Sequence, residues 1–429
     1  MTDQQQRLDE DQQHHDQAAA AQSVPAARSW ARSRENPNGS TGALRGDVLA
    51  ALAVVKVATA DQLQRIVRPN AAGNKVVRAA LLDLGLHGLT AADGRTADRE
   101  KLWRLTTAGL EAALEVLPTG REPGRTARGA GRTGAPHTRM VTETIIAVLQ
   151  GGTDPDAGPG TGTITDWSTE TVHEVGPKLR AITDAVLRAP QLGYPALMFE
   201  VDRGTMSPET VAGKFERYRR YYLRTSKGLE GGQIPYWQQM YGPAPTTRWE
   251  RTAPWPPVLL VFGGALGPVA LANRIEAVER LSRPYWAPQP TRNAIGTAWD
   301  EYDYNDYTDR IPILATTLDR LRAKGLTGDQ AWHRFGHQQA WQDLEAALAD
   351  PDGRGAWYQR DEERREQQRL LGQEREHEVQ PARWPDEHAD SIQAADSTPC
   401  QDGTAAHTGQ ERHQTEQQQP EKKRRRLFG

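Results

Sequence analysis

The run Ala196–Asp202, with the sequence Ala-Leu-Met-Phe-Glu-Val-Asp, constrains the fold more than any other part of the chain. It is almost continuously apolar, as expected of a strand that is buried on both faces of a sheet. Helical spacing predicts a helix before it at Thr138–Leu149 and another after it at Pro208–Leu223. A further buried strand is predicted at Pro257–Gly263. An edge strand is predicted at Ile311–Thr316, because Pro312 rules out a central place in the sheet, and a helix is predicted at Asp329–Leu348. This alternation of strands and helices predicts an α/β domain over residues 137–350.

A second, smaller domain is predicted at residues 43–118. Apolar residues recur at helical spacing from Leu44 to Val55. Further helices are predicted at Asp61–Val67, Asn74–Leu86 and Leu110–Leu117, and a strand at Lys101–Leu105. Three helices, a hairpin and a closing helix predict a winged helix-turn-helix, whose recognition helix enters the major groove of DNA.

Polar and basic residues occur where such a domain contacts DNA. They are Asn74, Lys75 and Arg78 on the recognition helix and Arg95, Arg99, Lys101 and Arg104 on the wing. Asn pairs with adenine, while Arg and Lys contact guanine or phosphate, so double-stranded DNA is the predicted partner. Gln62, Gln64 and Arg65 are predicted to brace the DNA backbone from the preceding helix. The alternative is a winged helix used for protein contacts, with its basic residues merely solvated.

The rest of the chain is predicted to lack a packed core. Residues 1–42 are rich in Gln, Ala, Asp and His and are predicted to be disordered, and residues 119–136 form a Gly/Arg linker. Beyond residue 351 we expect a charged helix at Trp357–Glu378 and then a low-complexity tail that ends in the basic run Lys422–Arg426.

Composition narrows the classes of function. The formal net charge of −3 over 429 residues means that nucleic-acid contact must come from local basic patches. The single cysteine, Cys400, excludes a disulfide framework or a thiolate metal cluster. No apolar run has the length of a membrane span and no signal-peptide core is visible, so a cytoplasmic protein without membrane contact is predicted. No phosphate-cradling glycine loop supports ATP hydrolysis.

Carboxylates and a lysine surround the buried strand. Asp184 lies in a strand predicted at Ala181–Leu187, and Glu200 and Asp202 share one face of Ala196–Asp202. These three carboxylates suit one Mg²⁺ ion. Lys214, from the following helix, would meet a bound phosphate, so Glu200 and Lys214 are the predicted catalytic residues of a metal-dependent phosphodiesterase.

Two alternatives need no catalysis. The same scaffold can bind DNA without cutting it. Or the acids can form structural ion pairs, with Arg203 against Asp202 and Arg180 neutralising Asp184 and Glu200.

Three segments, Leu179–Asp184, Phe199–Thr205 and Lys214–Tyr222, resemble the bacterial replication-relaxation proteins of actinobacterial chromosomes and mobile plasmids. The resemblance covers roughly residues 42–335. It implies a role in replication, copy-number control or mobilisation, with replication or mobilisation proteins as further partners and association with the nucleoid or a plasmid. It also implies that the second domain resembles a PD-(D/E)xK nuclease core, with Asp184 as first acid and Glu200 as second.

The chain departs from that nuclease pattern at two positions. Thr183 stands where a proline usually precedes the first acid, and Asp202 stands where the lysine is expected, so Lys214 would have to act from the helix. The leading hypothesis is therefore a DNA-binding accessory protein of replication or mobilisation. Its rivals are a Mg²⁺-dependent endonuclease and a non-catalytic scaffold or transcriptional regulator.

Overall fold

The computed structural model describes residues 33–118, 135–176, 179–228, 231–243, 254–291 and 304–378, which form a mixed α+β protein. Outside the described residues lie residues 1–32 of the predicted amino-terminal tail, 119–134 of the predicted linker, and 379–429, which include Cys400 and Lys422–Arg426. The chain divides into two compact units at Gln368, and the features discussed below belong to the first. Among the described helices, none combines the length and apolar character needed to span a bilayer.

Residues 33–118 fold as a small helical segment with a three-stranded sheet. Its helices are α1 (Gly42–Val55), α2 (Ala60–Val67), α3 (Lys75–Leu86) and α4 (Thr107–Leu114), and its strands are β1 (Val57–Thr59), β2 (Thr90–Arg95) and β3 (Lys101–Leu105). The antiparallel sheet has the order β1-β3-β2. Thr59 begins α2 with a capping box, since its side chain accepts from the Gln62 amide while the Gln62 side chain accepts from the Thr59 amide. The predicted helices and the Lys101–Leu105 strand are confirmed, with boundaries shifted by up to three residues.

Asp83, a fully buried residue of α3, holds the residues that precede α1 against this segment. One carboxylate oxygen accepts from the backbone and side-chain nitrogens of Asn38, at 3.0 and 2.7 Å, and the other accepts from Ser40, whose hydroxyl lies at 2.6 Å. Burial opposes ionisation of Asp83, but these hydrogen bonds outweigh it and lower its pKa to about 2. The predicted disordered tail of residues 1–42 is therefore too long, because Asn38 and Ser40 are held in place.

Replacing Asp83 by alanine is expected to destabilise the protein by about 2 kcal/mol, since buried hydrogen bonds to a charged acceptor are lost. The measurement is chemical unfolding followed by circular dichroism. Asp98→Ala is the matched control, because Asp98 is exposed and should change the free energy of unfolding by less than about 0.5 kcal/mol. Equal effects of the two substitutions would contradict the structural role of Asp83.

The remaining elements form a six-stranded sheet with helices around it. The strands are β4 (Trp167–Gly176), β5 (Leu179–Ala189), β6 (Tyr194–Asp202), β7 (Thr225–Lys227), β8 (Gln233–Pro235), β9 (Val258–Phe262), β10 (Gln289–Thr291), β11 (Tyr304–Asp306), β12 (Ile313–Thr317) and β13 (His333–Arg334). The helices are α5 (Ala135–Gln150), α6 (Pro208–Leu223), α7 (Tyr236–Tyr241), α8 (Pro268–Trp286), α9 (Leu318–Lys324), α10 (Leu344–Leu348) and α11 (Arg354–Glu378). The main sheet has the order β13-β12-β9-β6-β5-β4, and β7–β8 and β10–β11 are small two-stranded sheets.

Strand β6 lies in the middle of the main sheet, as its apolar sequence predicts. It pairs in parallel with β9 and antiparallel with β5, and every residue from Pro195 to Asp202 is buried. Its side chains alternate between two cores: Phe199 and Val201 face the core that contains α5, and Met198 faces the core beneath α6 and α8. Burial on both faces leaves water no access to this strand except at its ends.

Two predictions about the second half of the sheet are wrong. The strand after Ile311 is not at an edge: β12 pairs with β9 along five residues and with β13 on its other side. Pro312 is tolerated because it lies just before the strand, where its carbonyl accepts from the Val258 amide at 2.8 Å. The helix predicted over 329–348 is replaced by β13 and the short α10, because Gly336 has a φ of +87° and turns the chain back after β13.

The amino-terminal segment and the main sheet share one hydrophobic core. Leu52 and Leu63 from the amino-terminal segment belong to the same buried cluster as Val148 of α5 and Phe199 of β6. Helix α2 packs directly against α5. The two predicted domains are therefore in direct apolar contact, in addition to being consecutive in the chain.

Candidate functional site

Asp184 and Glu200 meet where β5 and β6 separate. Regular pairing of these antiparallel strands ends at Ala185 and Phe199, which places Asp184 and Glu200 across from each other at the next position. The Asp184 carboxylate then accepts from the Val201 amide at 2.8 Å, a bond that the strand ladder would otherwise have made. This register brings the two carboxylates close together, as the sequence predicts.

Asp184 is also joined to His137, in the first turns of α5. The Nε2 atom of His137 lies 3.1 Å from Oδ1 of Asp184. This hydrogen bond raises the pKa of His137. Burial alone would raise the pKa of Asp184, but the bonds to His137 and the Val201 amide, together with the charge of Lys214, lower it. Asp184 is therefore an ionised carboxylate held in a fixed orientation.

Glu200 is 2% exposed and is held by two residues of α6. Its Oε2 atom accepts from the Lys214 ammonium, and its Oε1 atom accepts from the Tyr218 hydroxyl. Burial and the nearby Asp184 charge raise the pKa of Glu200 to about 7, although Lys214 and the Tyr218 hydrogen bond act in the opposite direction. Lys214 and Tyr218 reach the same carboxylate because they are four residues apart on one face of the helix.

A chain of hydrogen bonds leads away from Glu200. The Tyr218 hydroxyl lies 2.8 Å from the Thr183 hydroxyl, which lies 3.2 Å from Nδ1 of His173. The Nε2 atom of His173 is in turn 2.7 Å from the Tyr241 hydroxyl. Burial lowers the pKa of His173 to about 4, so its ring is neutral and able to donate from one nitrogen while accepting at the other. Thr183 is thus a member of this chain of hydrogen bonds.

Asp202 has a different environment from the other two acids. Its side chain forms an ion pair with Arg274 of α8, and its Oδ1 atom also accepts from the Gly204 amide at 2.9 Å. Gly204 has a φ of +75°, a left-handed conformation that lets the chain turn immediately after β6. Arg203, the partner expected from the sequence, is replaced in this role by Arg274.

The acids fit a hard cation only in part. Asp184 and Glu200 offer carboxylate oxygens with unused lone pairs, as Mg²⁺ requires. Asp202 is already neutralised by Arg274, and the described ranges contain no group of three or more His, Cys, Asp or Glu side chains placed to hold a metal ion. Any ion bound here would therefore depend on Asp184, Glu200 and water.

Most of the predicted DNA-contacting residues are exposed to solvent, while Arg104 makes contacts within the protein. Lys75 and Arg78 of α3 and Arg95, Arg99 and Lys101 of the β2–β3 hairpin are exposed, and Asn74 is half-buried. Lys101 lies over the ring of Trp103, 4.0 Å from its centroid. Arg104 points inward, where its Nε atom pairs with Asp93 at 3.2 Å and its side chain is 15% exposed. The structure thus leaves five basic residues facing solvent and assigns Arg104 to packing.

Glu143 of α5 joins the amino-terminal segment to the main sheet. Arg65 of α2 contacts both of its carboxylate oxygens, at 2.6 and 2.9 Å, and the Gln62 amide donates to it at 2.9 Å. Arg322 of α9 donates to it from the other side at 2.7 Å. Burial opposes ionisation, but these partners lower the pKa of Glu143 to about 2.

These contacts correct the predicted role of α2. Gln62 and Arg65 face Glu143, and Gln64 is buried against the carbonyls of Arg68 and Ala71, so none of the three is placed to brace DNA. Sequence reasoning also missed His137 and Arg274 as partners of Asp184 and Asp202. Only His137 carried a signal, because it lies one or two turns before Glu143 on the same amphipathic helix.

The fold and the site together describe a mixed α+β protein with a buried cluster of carboxylates and a lysine at the end of a central strand. A family model described as replication-relaxation matches residues 49–235, somewhat less than half of the chain. The matched range includes α3, Asp184, Glu200 and Lys214, and it associates the chain with replication. No curated protein and no solved structure matches the chain.

Proposed function

We propose that the chain is a DNA-binding accessory protein of replication or mobilisation, in which residues 43–118 act as a winged helix-turn-helix. The observation that carries this proposal is the exposure of Lys75 and Arg78 on α3, which packs against β2 of the hairpin that carries exposed Arg95, Arg99 and Lys101. In a winged helix, those two elements meet the major groove and the adjacent phosphates. The proposed partner is double-stranded DNA, with association to a nucleoid or plasmid as its consequence.

The double substitution Lys75→Ala/Arg78→Ala tests the DNA contact. We expect affinity for duplex DNA to fall by at least about 10-fold and the slope of log K against log salt to flatten by about two, since each lost phosphate contact contributes roughly 0.9. Fluorescence anisotropy at several salt concentrations provides both quantities. Arg365→Ala is the control, because this side chain is 69% exposed on α11 and far along the chain from α3. Unchanged binding in the double variant would reject α3 as the reader.

A second candidate function is metal-dependent phosphodiester hydrolysis. The observation that favours it is the convergence of Asp184, Glu200 and Lys214 at one end of β6, brought together from two strands and a helix. A bound Mg²⁺ ion would polarise a phosphate oxygen and activate a water molecule. Asp184 and Glu200 are the residues that would hold it, and Lys214 is close enough to Glu200 to move onto a phosphate oxygen instead.

The two functions differ in what Lys214 does. In a DNA-binding protein without catalysis, Lys214 neutralises Glu200 permanently and the pair is structural. In a phosphodiesterase, Lys214 leaves Glu200 for the scissile phosphate, while Tyr218 continues to hold the carboxylate in place. The Lys214 side chain is 25% exposed, so its ammonium can reach a phosphate oxygen that arrives from solvent.

Incubation of supercoiled plasmid with the purified protein and Mg²⁺ or Mn²⁺ separates these functions. Accumulation of nicked or linear plasmid that stops in the presence of a chelator supports the phosphodiesterase. Binding without conversion of the plasmid, at any divalent cation concentration, rejects the phosphodiesterase and leaves the accessory DNA-binding role.

A further inference from the structure

The solvent-facing side of α6 carries a row of arginines beyond Lys214. Arg217 and Arg220 lie in the helix, and Arg224 directly follows its last residue. Their spacing of three and four residues places them on one side of the helix, with about 5–6 Å between neighbouring Cβ atoms. Arg217 and Arg220 are exposed and Arg224 is half-buried, whereas the tyrosines between them are buried in the core. The arginine row is therefore a surface feature of a helix whose other side is packed.

This part of the chain has an excess of positive charge. Between Lys214 and Tyr241, the described residues carry one acidic side chain, Glu216, and six cationic ones, which are Lys214, Arg217, Arg219, Arg220, Arg224 and Lys227. Lys214 pairs with Glu200 and Arg220 with Glu216, but the other four cations form no ion pair with a carboxylate of the described ranges. A local excess of this kind attracts a polyanion, although the whole chain is slightly negative.

The strand β4 supplies one acidic residue beside this row. Arg224 donates to the backbone carbonyl of Glu174 at 2.5 Å. The Glu174 side chain lies directly across from Arg180 in the pairing of β4 with β5, and both residues are exposed. Because opposite charges that face each other across two strands offset one another, Glu174 does not cancel the charge of the arginine row.

Two arginines also lie over tyrosine rings at the two ends of α7. Arg224 lies 4.1 Å from the ring centroid of Tyr236, and Arg188 of β5 lies 5.3 Å from that of Tyr241. Tyr236 and Tyr241 are the first and last residues of α7, about 8 Å apart along its axis. Both tyrosines are half-buried, so each arginine–tyrosine pair has a side that faces solvent.

Buried rings join the two pairs into one surface. The Tyr221 ring lies 6.3 Å from that of Tyr236 and 4.5 Å from that of His173, which in turn lies 5.9 Å from that of Tyr241. Tyr221 and His173 are both fully buried. These packed rings hold the two half-buried tyrosines in place, so little side-chain freedom remains to be lost when a ligand binds.

Cations in a row beside aromatic rings fit a nucleic-acid strand whose bases are unpaired. A positively charged track follows the phosphate backbone, and unpaired bases stack on aromatic rings or on guanidinium planes. A duplex keeps its bases inside its own stack, where the tyrosines of α7 cannot reach them. The combination of the arginine row with the arginine–tyrosine pairs therefore favours a single strand over a duplex.

We propose that Arg217, Arg220 and Arg224, together with Tyr236 and Tyr241, form a surface that binds single-stranded DNA. The arginines of α6 neutralise consecutive phosphates, and the bases stack at the ends of α7. This surface goes beyond the proposed duplex contact, because no residue of α3 or of the β2–β3 hairpin takes part in it. It requires no cleavage of the strand.

The double substitution Arg217→Gln/Arg224→Gln tests the arginine row. Fluorescence anisotropy of the full-length protein with a labelled oligothymidine of about 20 nucleotides, longer than a typical single-strand site, measures the affinity at several salt concentrations. We expect the affinity to fall at least about 10-fold and the slope of log K against log salt to flatten by about 1.4, since each lost phosphate contact with a single strand contributes roughly 0.7. Arg364→Gln/Arg365→Gln removes two exposed charges from α11 and should leave both quantities unchanged.

The stacking contribution is tested separately at Tyr236. Tyr236→Ala is expected to weaken the binding of oligothymidine about 5- to 100-fold, because a ring on which a base stacks is lost. Tyr236→Phe keeps the ring and should bind as the parent protein does. An oligodeoxyribose phosphate of equal length without bases carries the same charge, and we expect it to bind more weakly than oligothymidine.

Thermal unfolding followed by circular dichroism establishes that each variant is folded before its affinity is compared. Lys75→Ala/Arg78→Ala should retain oligothymidine binding, so that a failure of the duplex contact and a failure of this surface are distinguishable. The proposal is overturned if the parent protein does not bind oligothymidine at low salt, or if folded Arg217→Gln/Arg224→Gln binds it as the parent does. An equal loss of duplex affinity in that variant would also overturn it, since the row would then act on any polyanion.

Discussion

Under the proposed phosphodiesterase function, the Glu200→Ala protein is expected to nick supercoiled DNA at least about 100-fold more slowly than the parent protein, because one of the two carboxylates that would hold the metal ion is lost. Its affinity for duplex DNA is expected to remain unchanged, since Glu200 is buried and lies in a different segment from α3. The measurement is the rate of nicking with saturating protein and Mn²⁺, compared with anisotropy on the same DNA. Nicking by Glu200→Ala at the parent rate would exclude Glu200 from the chemistry.

Two comparison variants make this result specific. Glu216→Ala removes a surface carboxylate from α6, where it pairs with Arg220, and should leave nicking unaltered. Lys214→Ala should slow nicking as Glu200→Ala does. A loss of nicking in both Lys214→Ala and Glu216→Ala would indicate general disturbance of α6 and argue against a role for the ammonium.

Replacing Glu143 by alanine is expected to lower the free energy of unfolding by about 3 kcal/mol at neutral pH, as judged from the depression of its pKa to about 2. The substitution leaves Arg65 and Gln62 of α2 without their shared partner and removes one partner of Arg322. Urea unfolding monitored by tryptophan fluorescence measures the effect. Asp319→Ala is the control, because Asp319 contacts Arg322 at 3.5 Å while 96% exposed and should contribute almost nothing.

The Glu143 contribution also depends on pH in a defined direction. Because its folded-state pKa lies below the ordinary value of 4.5, the stabilisation is complete above that value and declines as the pH falls toward about 2. The parent protein should therefore lose stability across this interval more steeply than Glu143→Ala does. Parallel stability curves for the two proteins would contradict an ionised Glu143 in the interface.

The local elements of the fold were predictable because each rests on a short-range pattern. The apolar run of β6 and the helical spacing of α6 identify both elements. Together with the strand predicted at Ala181–Leu187, they place Asp184, Glu200 and Lys214 near one another. The wrong predictions concern segments in which a local sequence pattern disagrees with the packing of the folded chain. Pro312 suggested an edge strand, yet a proline just before the strand removes no hydrogen bond from the ladder.

The ion-pair partners were not predictable because they come from distant parts of the chain. Asp202 forms an ion pair with Arg274, which lies 72 residues later, and Glu143 forms one with Arg65, which lies 78 residues earlier. The sequence shows that Arg203 is adjacent to Asp202, but it does not show whether an adjacent or a remote arginine forms the ion pair. Packing decides instead: α8 lies against α6 and brings Arg274 to the end of β6.

The shared core and the Glu143 contacts have a geometric consequence for any DNA that the protein engages. Glu143 and His137 are six residues apart on α5, so the anchor of the amino-terminal segment and the partner of Asp184 are separated by about 9 Å along one helix. In the proposed DNA-binding function, α3 and the Asp184 end of the sheet would therefore keep a constant separation while the protein engages a duplex, because α2 and Asp184 are both held by α5.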